Sequence, residues 1–239
     1  MRGLFITGTD TGVGKTAVTS ALLRLMRNRG VVTGAYKPVA SGARTSPTGL
    51  LWDDVEILWG AMQGSYPREK ICPQKFVAPL APPVAAQQEG KRVDPVLLRS
   101  GIDWWRGRVD VVLIEGAGGL LSPISERDSV ADIATELGFP LLIVGRLGLG
   151  TINHTLLTVE AAEARRLQVA GIVLSESSPL PSDDLSWRTN ACEIERRCRV
   201  PVLAVVPHIP GGDLLEGDQL QRIVWDLLPK PRESLAIQD

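Results

Sequence analysis

Residues 4–16 read Leu-Phe-Ile-Thr-Gly-Thr-Asp-Thr-Gly-Val-Gly-Lys-Thr, and this stretch decides the fold. Residues 4–7 are mostly apolar and predict a buried strand, and residues 15–29 have the spacing of an amphipathic helix. A strand, a glycine-rich turn ending in Gly-Lys-Thr and a helix form the context that a P-loop requires. Thr9 stands where the commonest form of the loop has its first glycine, and Gly8 precedes it.

The loop predicts a site for a nucleoside triphosphate with magnesium. Glycines allow the backbone to fold around phosphate oxygens, and the free N–H groups at the start of the helix attract an anion. In such a loop Lys15 neutralises the β- and γ-phosphates, and the Thr16 hydroxyl ligates Mg²⁺. A glycine-rich turn without a ligand is the less favoured interpretation, because Gly-Lys-Thr here lies between a strand and a strong helix.

Four further apolar runs predict buried strands. They are nearly continuous in hydrophobicity and bounded by Gly or Pro, and they comprise residues 109–115, 140–144, 169–175 and 201–206. Helical patterns separate them, which indicates a parallel sheet covered on both faces. The predicted fold class is α/β: a doubly wound, mainly parallel sheet of the P-loop NTPase type. We expect residues 1–239 to form a single domain, with a frayed tail from about residue 229.

Three segments carry helical patterns. On the first, the residues that share one apolar face are Val18, Leu22, Leu25 and Met26. The second starts at Asp94 and Pro95, a cap residue followed by proline at the first helical position. The third spans residues 153–167, and its predicted inward residues are Leu156, Leu157 and Ala161. Residues 76–83 contain three prolines and predict a loop with a fixed course.

The composition excludes several classes of function. The 239-residue chain has a formal net charge of −1, so it offers no basic surface for nucleic acid or a membrane. Its apolar runs are too short to span a bilayer, and the N-terminus leads into a strand without a signal peptide. Cys72, Cys192 and Cys198 form no CxxC pair and predict neither a disulfide framework nor a zinc site. We expect a cytoplasmic protein.

Three other segments carry side chains suited to phosphate chemistry. Glu115 ends a predicted strand, where an acid beside a P-loop suits Mg²⁺. Residues 36–42 read Tyr-Lys-Pro-Val-Ala-Ser-Gly, and composition alone favours an exposed Lys37 before a proline turn. Residues 148–154 read Gly-Leu-Gly-Thr-Ile-Asn-His, a glycine turn that opens a helix and offers a second place for an anion. For His154 we favour a capping or core role over catalysis.

Together, these four segments resemble the dethiobiotin synthetase family. Their order and spacing match over roughly residues 1–210, and residues 36–42 are the specific element, since the P-loop alone would indicate only the superfamily. The resemblance implies a homodimer with sites near the interface and an ATP-dependent ligase of biotin biosynthesis. The implied reaction converts 7,8-diaminononanoate, CO2 (or bicarbonate) and ATP into dethiobiotin, ADP and phosphate. It passes through a carbamate and a carbamic–phosphoric anhydride.

The resemblance also implies residue roles. The implied catalytic residues are Lys37, Lys15 and Thr11, and the implied Mg²⁺ ligands are Thr16, Asp54 and Glu115. The implied nucleotide contacts are Gly12, Val13, Gly14, Lys15, Thr16, Ala17, Asp54, Glu115, Gly116, Ala117, Gly118, Ser175, Glu176, Ala204, Val205 and Val206. The implied substrate contacts are Ser41 and, across the dimer, Gly150, Thr151, Ile152 and Asn153. Asp53 precedes Asp54, so the residues alone leave that choice open; the family spacing selects Asp54.

Four positions depart from the family pattern: Gly12 where an acid often sits, Pro83 for a histidine, Ala204 for a glycine, and Ser175 for an asparagine that reads adenine. A single short hydroxyl at Ser175 predicts a loose choice of nucleotide base. Two other functions stay open. One is a different P-loop ATP-dependent amide ligase, which should lack residues 36–42. The other is a regulatory nucleotide switch, which would be expected to carry a further loop lysine where this chain has Asp10.

Overall fold

Short runs of buried apolar residues form the strands of the fold. The structure is a computed structural model and describes residues 1–47, 49–208 and 220. The strands in this part of the chain are β1 (Arg2–Gly8), β2 (Thr33–Tyr36), β3 (Val39–Ser41), β4 (Arg44–Ser46), β5 (Gly49–Leu51), β6 (Gln74–Phe76), β7 (Val111–Gly119), β8 (Leu141–Arg146), β9 (Val169–Ser175) and β10 (Val202–Val206).

Six of these strands form one parallel sheet in the order β10-β9-β8-β1-β7-β2. The chain first moves from β1 to the β2 edge, returns through β7, and then continues on the other side of β1 with β8. In open α/β sheets, ligands bind at such a reversal, outside the carboxyl ends of the strands. The P-loop leaves β1 at this edge. The other strands form two small pairs, β3 with β6 and β4 with β5.

Helices alternate with the strands of the large sheet. They are α1 (Lys15–Asn28), α2 (Asp53–Ala61), α3 (Arg68–Ile71), α4 (Pro82–Gln88), α5 (Pro95–Ser100), α6 (Val130–Leu137), α7 (Thr151–Ala164) and α8 (Asn190–Glu195), with short 3₁₀ helices at Gly101–Trp105 and Ser186–Arg188. This arrangement confirms the predicted doubly wound α/β class. None of the helices among the described residues is long and apolar enough to cross a membrane.

The strand predictions hold for five of the six sheet strands. Residues 169–175 coincide with β9, and the other four predicted runs overlap β1, β7, β8 and β10. The apolar pattern does not predict β2, because Thr33–Tyr36 contains no continuous apolar run. The strand is buried nonetheless, since Gly34 leaves room for Trp105: a Cβ atom at Gly34 would lie 2.4 Å from the Trp105 ring.

Helix α7 differs from its prediction in two ways. It starts at Thr151 rather than at residue 153, because Gly150 takes the left-handed conformation (φ 92°) that turns the chain into the helix. Its buried face consists of Thr151, Thr155, Thr158, Val159 and Ala162. Leu157 is therefore exposed, and the prediction that it faces inward was wrong.

Helices α1 and α5 form as predicted. The predicted apolar residues of α1 are all buried, and the Asp94 carboxylate caps α5 by accepting from the N–H groups of Val96 (2.8 Å) and Leu97 (3.1 Å). The predicted loop over residues 76–83 ends early, because Pro82 occupies the first turn of α4, where its missing N–H costs nothing. The tail from residue 229 lies outside the described residues.

Candidate active site

The P-loop forms a ring of backbone at the carboxyl end of β1. Gly12 (φ 71°) and Gly14 (φ 95°) adopt left-handed conformations that bend the chain back towards the helix. Thr9 N–H donates to the Val144 carbonyl (2.9 Å), which anchors the loop to β8. No side chain caps α1, so its first N–H groups remain directed at whatever anion fills the loop.

Lys15 is held inside this ring. Its side chain is 7% exposed, and its Nζ donates to the Asp10 carbonyl at 2.8 Å. The pKa of Lys15 is lowered to about 8, because burial removes the ammonium from water and the nearby Lys37 repels it. A bound polyphosphate would place negative charge beside this ammonium and favour its protonated form.

Four segments of the chain bring four polar side chains together behind the loop. The Thr16 hydroxyl, on α1, lies 2.8 Å from Glu115 Oε1 at the end of β7 and 3.0 Å from Asp54 Oδ1 on α2. Lys37, which follows β2, places its Nζ 2.7 Å from the same Glu115 oxygen and 2.9 Å from Asp54 Oδ2. Lys37 is only 3% exposed, so the interpretation of an exposed lysine before a proline turn was wrong.

The charges of this cluster are mutually stabilised. Burial by itself would lower the pKa of Lys37, but the carboxylates of Glu115 and Asp54 outweigh that effect and raise the pKa. The Lys37 ammonium in turn lowers the pKa of Asp54, and burial opposes the change only in part. Lys37 therefore stays protonated and Asp54 ionised, which provides a fixed field of both signs at the phosphate end of the loop.

The residues present fit a magnesium ion. Thr16, Asp54 and Glu115 offer hydroxyl and carboxylate oxygens, the ligand type that Mg²⁺ prefers. Glu115 Oε2 is buried without a hydrogen-bond partner, which leaves an acceptor free for a cation. Within the described residues there is no cluster of three His, Cys, Asp or Glu side chains, so an ion here would also need phosphate oxygens or water.

The two neighbouring aspartates at the start of α2 point to different surroundings. Asp54, whose side chain is about half exposed, faces Thr16 and the buried Lys37. Asp53 instead pairs with the exposed Arg44 of β4, away from the P-loop threonine. The geometry thus favours Asp54 over Asp53 as the group that can reach a metal ion.

A cleft of about 920 Å³ opens over this cluster. One end is lined by Thr11, Lys15, Lys37, Ser41 and the Pro79–Leu80 segment of the loop before α4. The Ser41 hydroxyl donates to the Leu80 carbonyl (2.6 Å), which holds that loop over the β3 end. Ala117 and Gly118, which lie at the end of β7, complete the wall beside the phosphate loop.

The other end of the cleft is formed by the residues that follow β9 and β10. Its lining residues are Ser175, Glu176, Ser177, Pro207 and His208. The side chains of Ala204 and Val206 are buried in the core, and the implied nucleotide contacts at these residues stay a prediction. The sequence analysis missed Ser177 and His208; their place just beyond the carboxyl ends of two predicted strands was the available signal.

The structure does not bring residues 150–153 into this cleft. Thr151 lines a separate small cavity of about 170 Å³ with Arg146 and His154, on the outer side of the P-loop. His154 is an exposed residue in the first turns of α7, so the predicted core role was wrong, and among the described contacts its side chain makes no capping bond. Thr151 thus lies outside the main cleft, but its cavity adjoins that cleft, since Thr11, Gly12 and Ser177 line both.

Comparisons with known proteins address the family directly. A family model described as an AAA domain matches residues 2–213. The chain is 47% identical over 210 residues to the ATP-dependent dethiobiotin synthetase BioD of Anaeromyxobacter dehalogenans (strain 2CP-C), covering 88% of this chain and 92% of that protein. It is 42% identical to the enzyme of the same name from Bacillus subtilis (strain 168), covering 87% and 88%.

The solved structures agree on the fold. The cell division ATPase MinD of Pyrococcus furiosus superposes with a TM-score of 0.56 at 18% identity, covering 95% of this chain and 99% of that one. At this identity the likeness concerns the fold alone, and it supports the parallel P-loop sheet described above.

Proposed function

The chain belongs to the ATP-dependent dethiobiotin synthetase family, and we propose that it closes the ureido ring of dethiobiotin from 7,8-diaminononanoate, CO2 and ATP. It is an ATP-dependent ligase of biotin biosynthesis, as its relatives' names state. The proposed steps are capture of CO2 by one amine as a carbamate, transfer of the γ-phosphoryl group to that carbamate, and ring closure by the second amine with loss of phosphate.

One observation carries the proposal. Lys37, from the family-specific segment, and Thr16, from the P-loop, contact the same oxygen of Glu115, at 2.7 and 2.8 Å. The segment that distinguishes this family from other P-loop proteins thus reaches the phosphate end of the loop. A lysine there, buried and kept protonated, is suited to a reaction in which two anions must approach each other.

The residues supply electrostatic stabilisation and positioning. Lys15 and Lys37 provide positive charge where the carbamate oxygen attacks the γ-phosphorus, and Thr11 lies beside the reacting groups. Mg²⁺, held by Thr16, Asp54 and Glu115, would neutralise charge on the phosphates when it is bound. The phosphoryl group converts a carbamate oxygen into a leaving group, and the second amine, part of the same molecule, attacks at a high effective concentration. No protein nucleophile is needed.

We propose that the substrate site is shared between two copies of the chain. Ser41 lies in the cleft, whereas Gly150, Thr151, Ile152 and Asn153 lie outside it, so the carboxylate of the diamine would be held by a partner subunit. Three strongly exposed leucines support a homodimer: Leu121 (54%), Leu149 (83%) and Leu157 (56%). Leu121 and Leu157 line one depression of about 440 Å³ with Asp10 and His154, next to the P-loop.

We extend the proposal to the whole chain and its setting. One large parallel sheet and one principal core run through the described residues, which supports a single domain over residues 1–239. The free state of Cys72, Cys192 and Cys198 supports a reducing, cytoplasmic setting.

The test is phosphate release by the purified protein with MgATP. We expect release only when 7,8-diaminononanoate and bicarbonate are both present, with dethiobiotin detected by mass in equal amount. Release with neither compound would indicate a nucleotide switch instead. Release that needs a carboxylic acid and ammonia would indicate a different amide ligase.

A further inference from the structure

Two loops form the end of the cleft that lies away from Lys37. The first follows β9 and contains Glu176 and Ser177, and the second follows β10 and contains Pro207 and His208. If ATP occupies the P-loop, its sugar and base extend towards this end. The structure shows what holds the two loops together.

The carboxylate of Glu176 joins the loops. Its Oε2 accepts from the backbone N–H of His208 at 3.0 Å, across the two strands. Its Oε1 accepts from the N–H of Leu180, four residues along its own loop, at 3.1 Å. The Glu176 backbone N–H in addition donates to the Val206 carbonyl at 2.9 Å. Both carboxylate oxygens thus already accept a hydrogen bond from a protein donor.

These contacts favour the ionised side chain. The hydrogen bonds from His208 and from Leu180 lower the pKa of Glu176. Hydrogen bonds to an ionised acceptor are among the stronger ones in proteins, and this carboxylate makes two of them to different segments. The carboxylate therefore adds a side-chain link between the two loops to the backbone bond from Glu176 to Val206.

The neighbouring Ser175 contacts the P-loop and does not join the two loops. A Cβ atom placed on Gly14 of the P-loop would lie 2.5 Å from the Ser175 hydroxyl, so Ser175 packs directly against the phosphate loop and is 3% exposed. The surface available to a base is therefore formed by the residues that follow Ser175 and β10. These are Ser177 on one loop and Pro207 and His208 on the other.

We propose that Glu176 is a positioning residue for the nucleotide: its carboxylate ties the β9 and β10 loops together, so that the base meets a preformed wall without touching Glu176 itself. The proposal rests on the proposed use of ATP in this cleft. It goes beyond the implied contact at Glu176, because it assigns the carboxylate to the protein and the base contact to the segments that it holds.

The experiment compares two ligands. MgATP reaches both ends of the cleft, whereas magnesium tripolyphosphate has the phosphates but neither sugar nor base. For Glu176→Ala we expect binding of MgATP to weaken about tenfold, the scale of losing charge-assisted hydrogen bonds, while tripolyphosphate binding stays within about twofold. For Glu176→Gln, which keeps one carbonyl acceptor, we expect an affinity for MgATP between those of Glu176→Ala and the wild type. In steady-state kinetics, the effect of Glu176→Ala should appear as a rise in the KM for ATP.

Glu195→Ala provides the matched control. Glu195 Oε1 accepts from the N–H of Val202 (3.1 Å), at the opposite end of the same strand β10, and it lies outside the cleft. This control should leave both ligands unaffected. Equal weakening of ATP and tripolyphosphate by Glu176→Ala, loss of both through misfolding, or no change in either would overturn the proposal. The ring-closing function stands or falls separately, on the requirement of the wild-type protein for diamine and bicarbonate.

Discussion

Lys37 follows β2 and is buried because two carboxylates lie close enough to stabilise its ammonium group. The carboxylates of Glu115 and Asp54 meet its ammonium within 2.9 Å. A buried ion pair has little value for stability in general, since desolvation offsets most of the attraction. Its presence beside a P-loop therefore points to a use in catalysis, where an ammonium that is already desolvated and fixed needs no reorganisation during the reaction.

We predict that Lys37→Gln lowers kcat by at least about a hundredfold, the scale of losing one preorganised electrostatic group. MgATP binding should change little, because Lys15 and the loop backbone remain. The measurements are initial rates of phosphate release and direct MgATP binding, with thermal unfolding as the check on folding. Lys91→Gln is the control, since Lys91 pairs with Glu89 at the surface. Turnover near the wild-type rate in Lys37→Gln would remove this lysine from the mechanism.

The pair Asp53 and Asp54 allows a test in which each residue controls for the other. Asp54→Asn removes a charge from the buried cluster, and we expect the Mg²⁺ concentration for half-maximal activity to rise by at least about tenfold. Asp53→Asn only disrupts the exposed contact with Arg44, which is worth about 0–1 kcal/mol, so the Mg²⁺ requirement should stay the same. The measurement is activity against Mg²⁺ at fixed ATP. The opposite ranking of the two variants would show that Asp53 serves the ion.

At the scale of elements, the sequence predicts what depends on local pattern. Continuous apolar runs indicate β7, β8, β9 and β10, because strands buried on both faces need apolar residues at every position. β2 escapes the pattern because its burial depends on Trp105, distant in sequence, which fills the space above Gly34. The pattern also fails to predict that Leu157 is exposed, because the small residues of α7 form its buried face.

The same distinction, between local sequence signals and contacts of distant residues, applies to the site. The P-loop and Glu115 can be predicted because strand ends and glycine turns have local signals. That Lys37 and Thr16 share one carboxylate oxygen could not be predicted from those signals, since it depends on how β2, β7 and α1 pack. The positions of Ser177 and His208 depend likewise on the pairing of β9 with β10.

Two residues from a later segment of the chain hold the turn before α7 in place. Leu149 N–H donates to Asp184 Oδ2 at 3.2 Å, and the buried Asn190 amide donates to the Gly148 carbonyl at 2.9 Å. This turn sets the direction of the first N–H groups of α7, the proposed site for the substrate carboxylate. Its geometry therefore depends on a segment that is remote in sequence.

We predict that Asp184→Ala raises the KM for 7,8-diaminononanoate by about tenfold, the scale of losing a hydrogen bond to a charged group, with the KM for ATP unchanged. The measurement is steady-state kinetics with each substrate varied in turn. Asp183→Ala removes the same charge from the neighbouring exposed position and should alter neither KM. A parallel rise in both KM values after Asp184→Ala would mean that the residue supports the fold as a whole rather than this turn.

At the scale of the whole molecule, the proposed substrate site is divided between two chains. The phosphate end is assembled within the chain, whereas residues 150–153 lie outside the main cleft. The exposed Leu121 and Leu157 lie beside both regions, around a depression that also contains Asp10 of the P-loop. Stable interfaces bury about 1,200–2,000 Å² in total, and apolar residues at their centre contribute most. We propose that the two copies associate through this face, with the anion site of one copy serving the cleft of the other.

We therefore predict that the protein is a dimer in solution and that Leu157→Glu dissociates it, because a carboxylate would be buried without a partner at the interface. The isolated chains should bind MgATP within about twofold of the wild type, since the P-loop cleft is complete in each. They should bind 7,8-diaminononanoate at least about tenfold more weakly, because the carboxylate would lose its donors from the partner. Analytical ultracentrifugation measures the first effect and calorimetry the others. Val96→Glu, at a more exposed apolar position on α5, should leave assembly and both affinities intact. A monomeric protein that retains full activity would place the whole substrate site within one chain and refute the shared site.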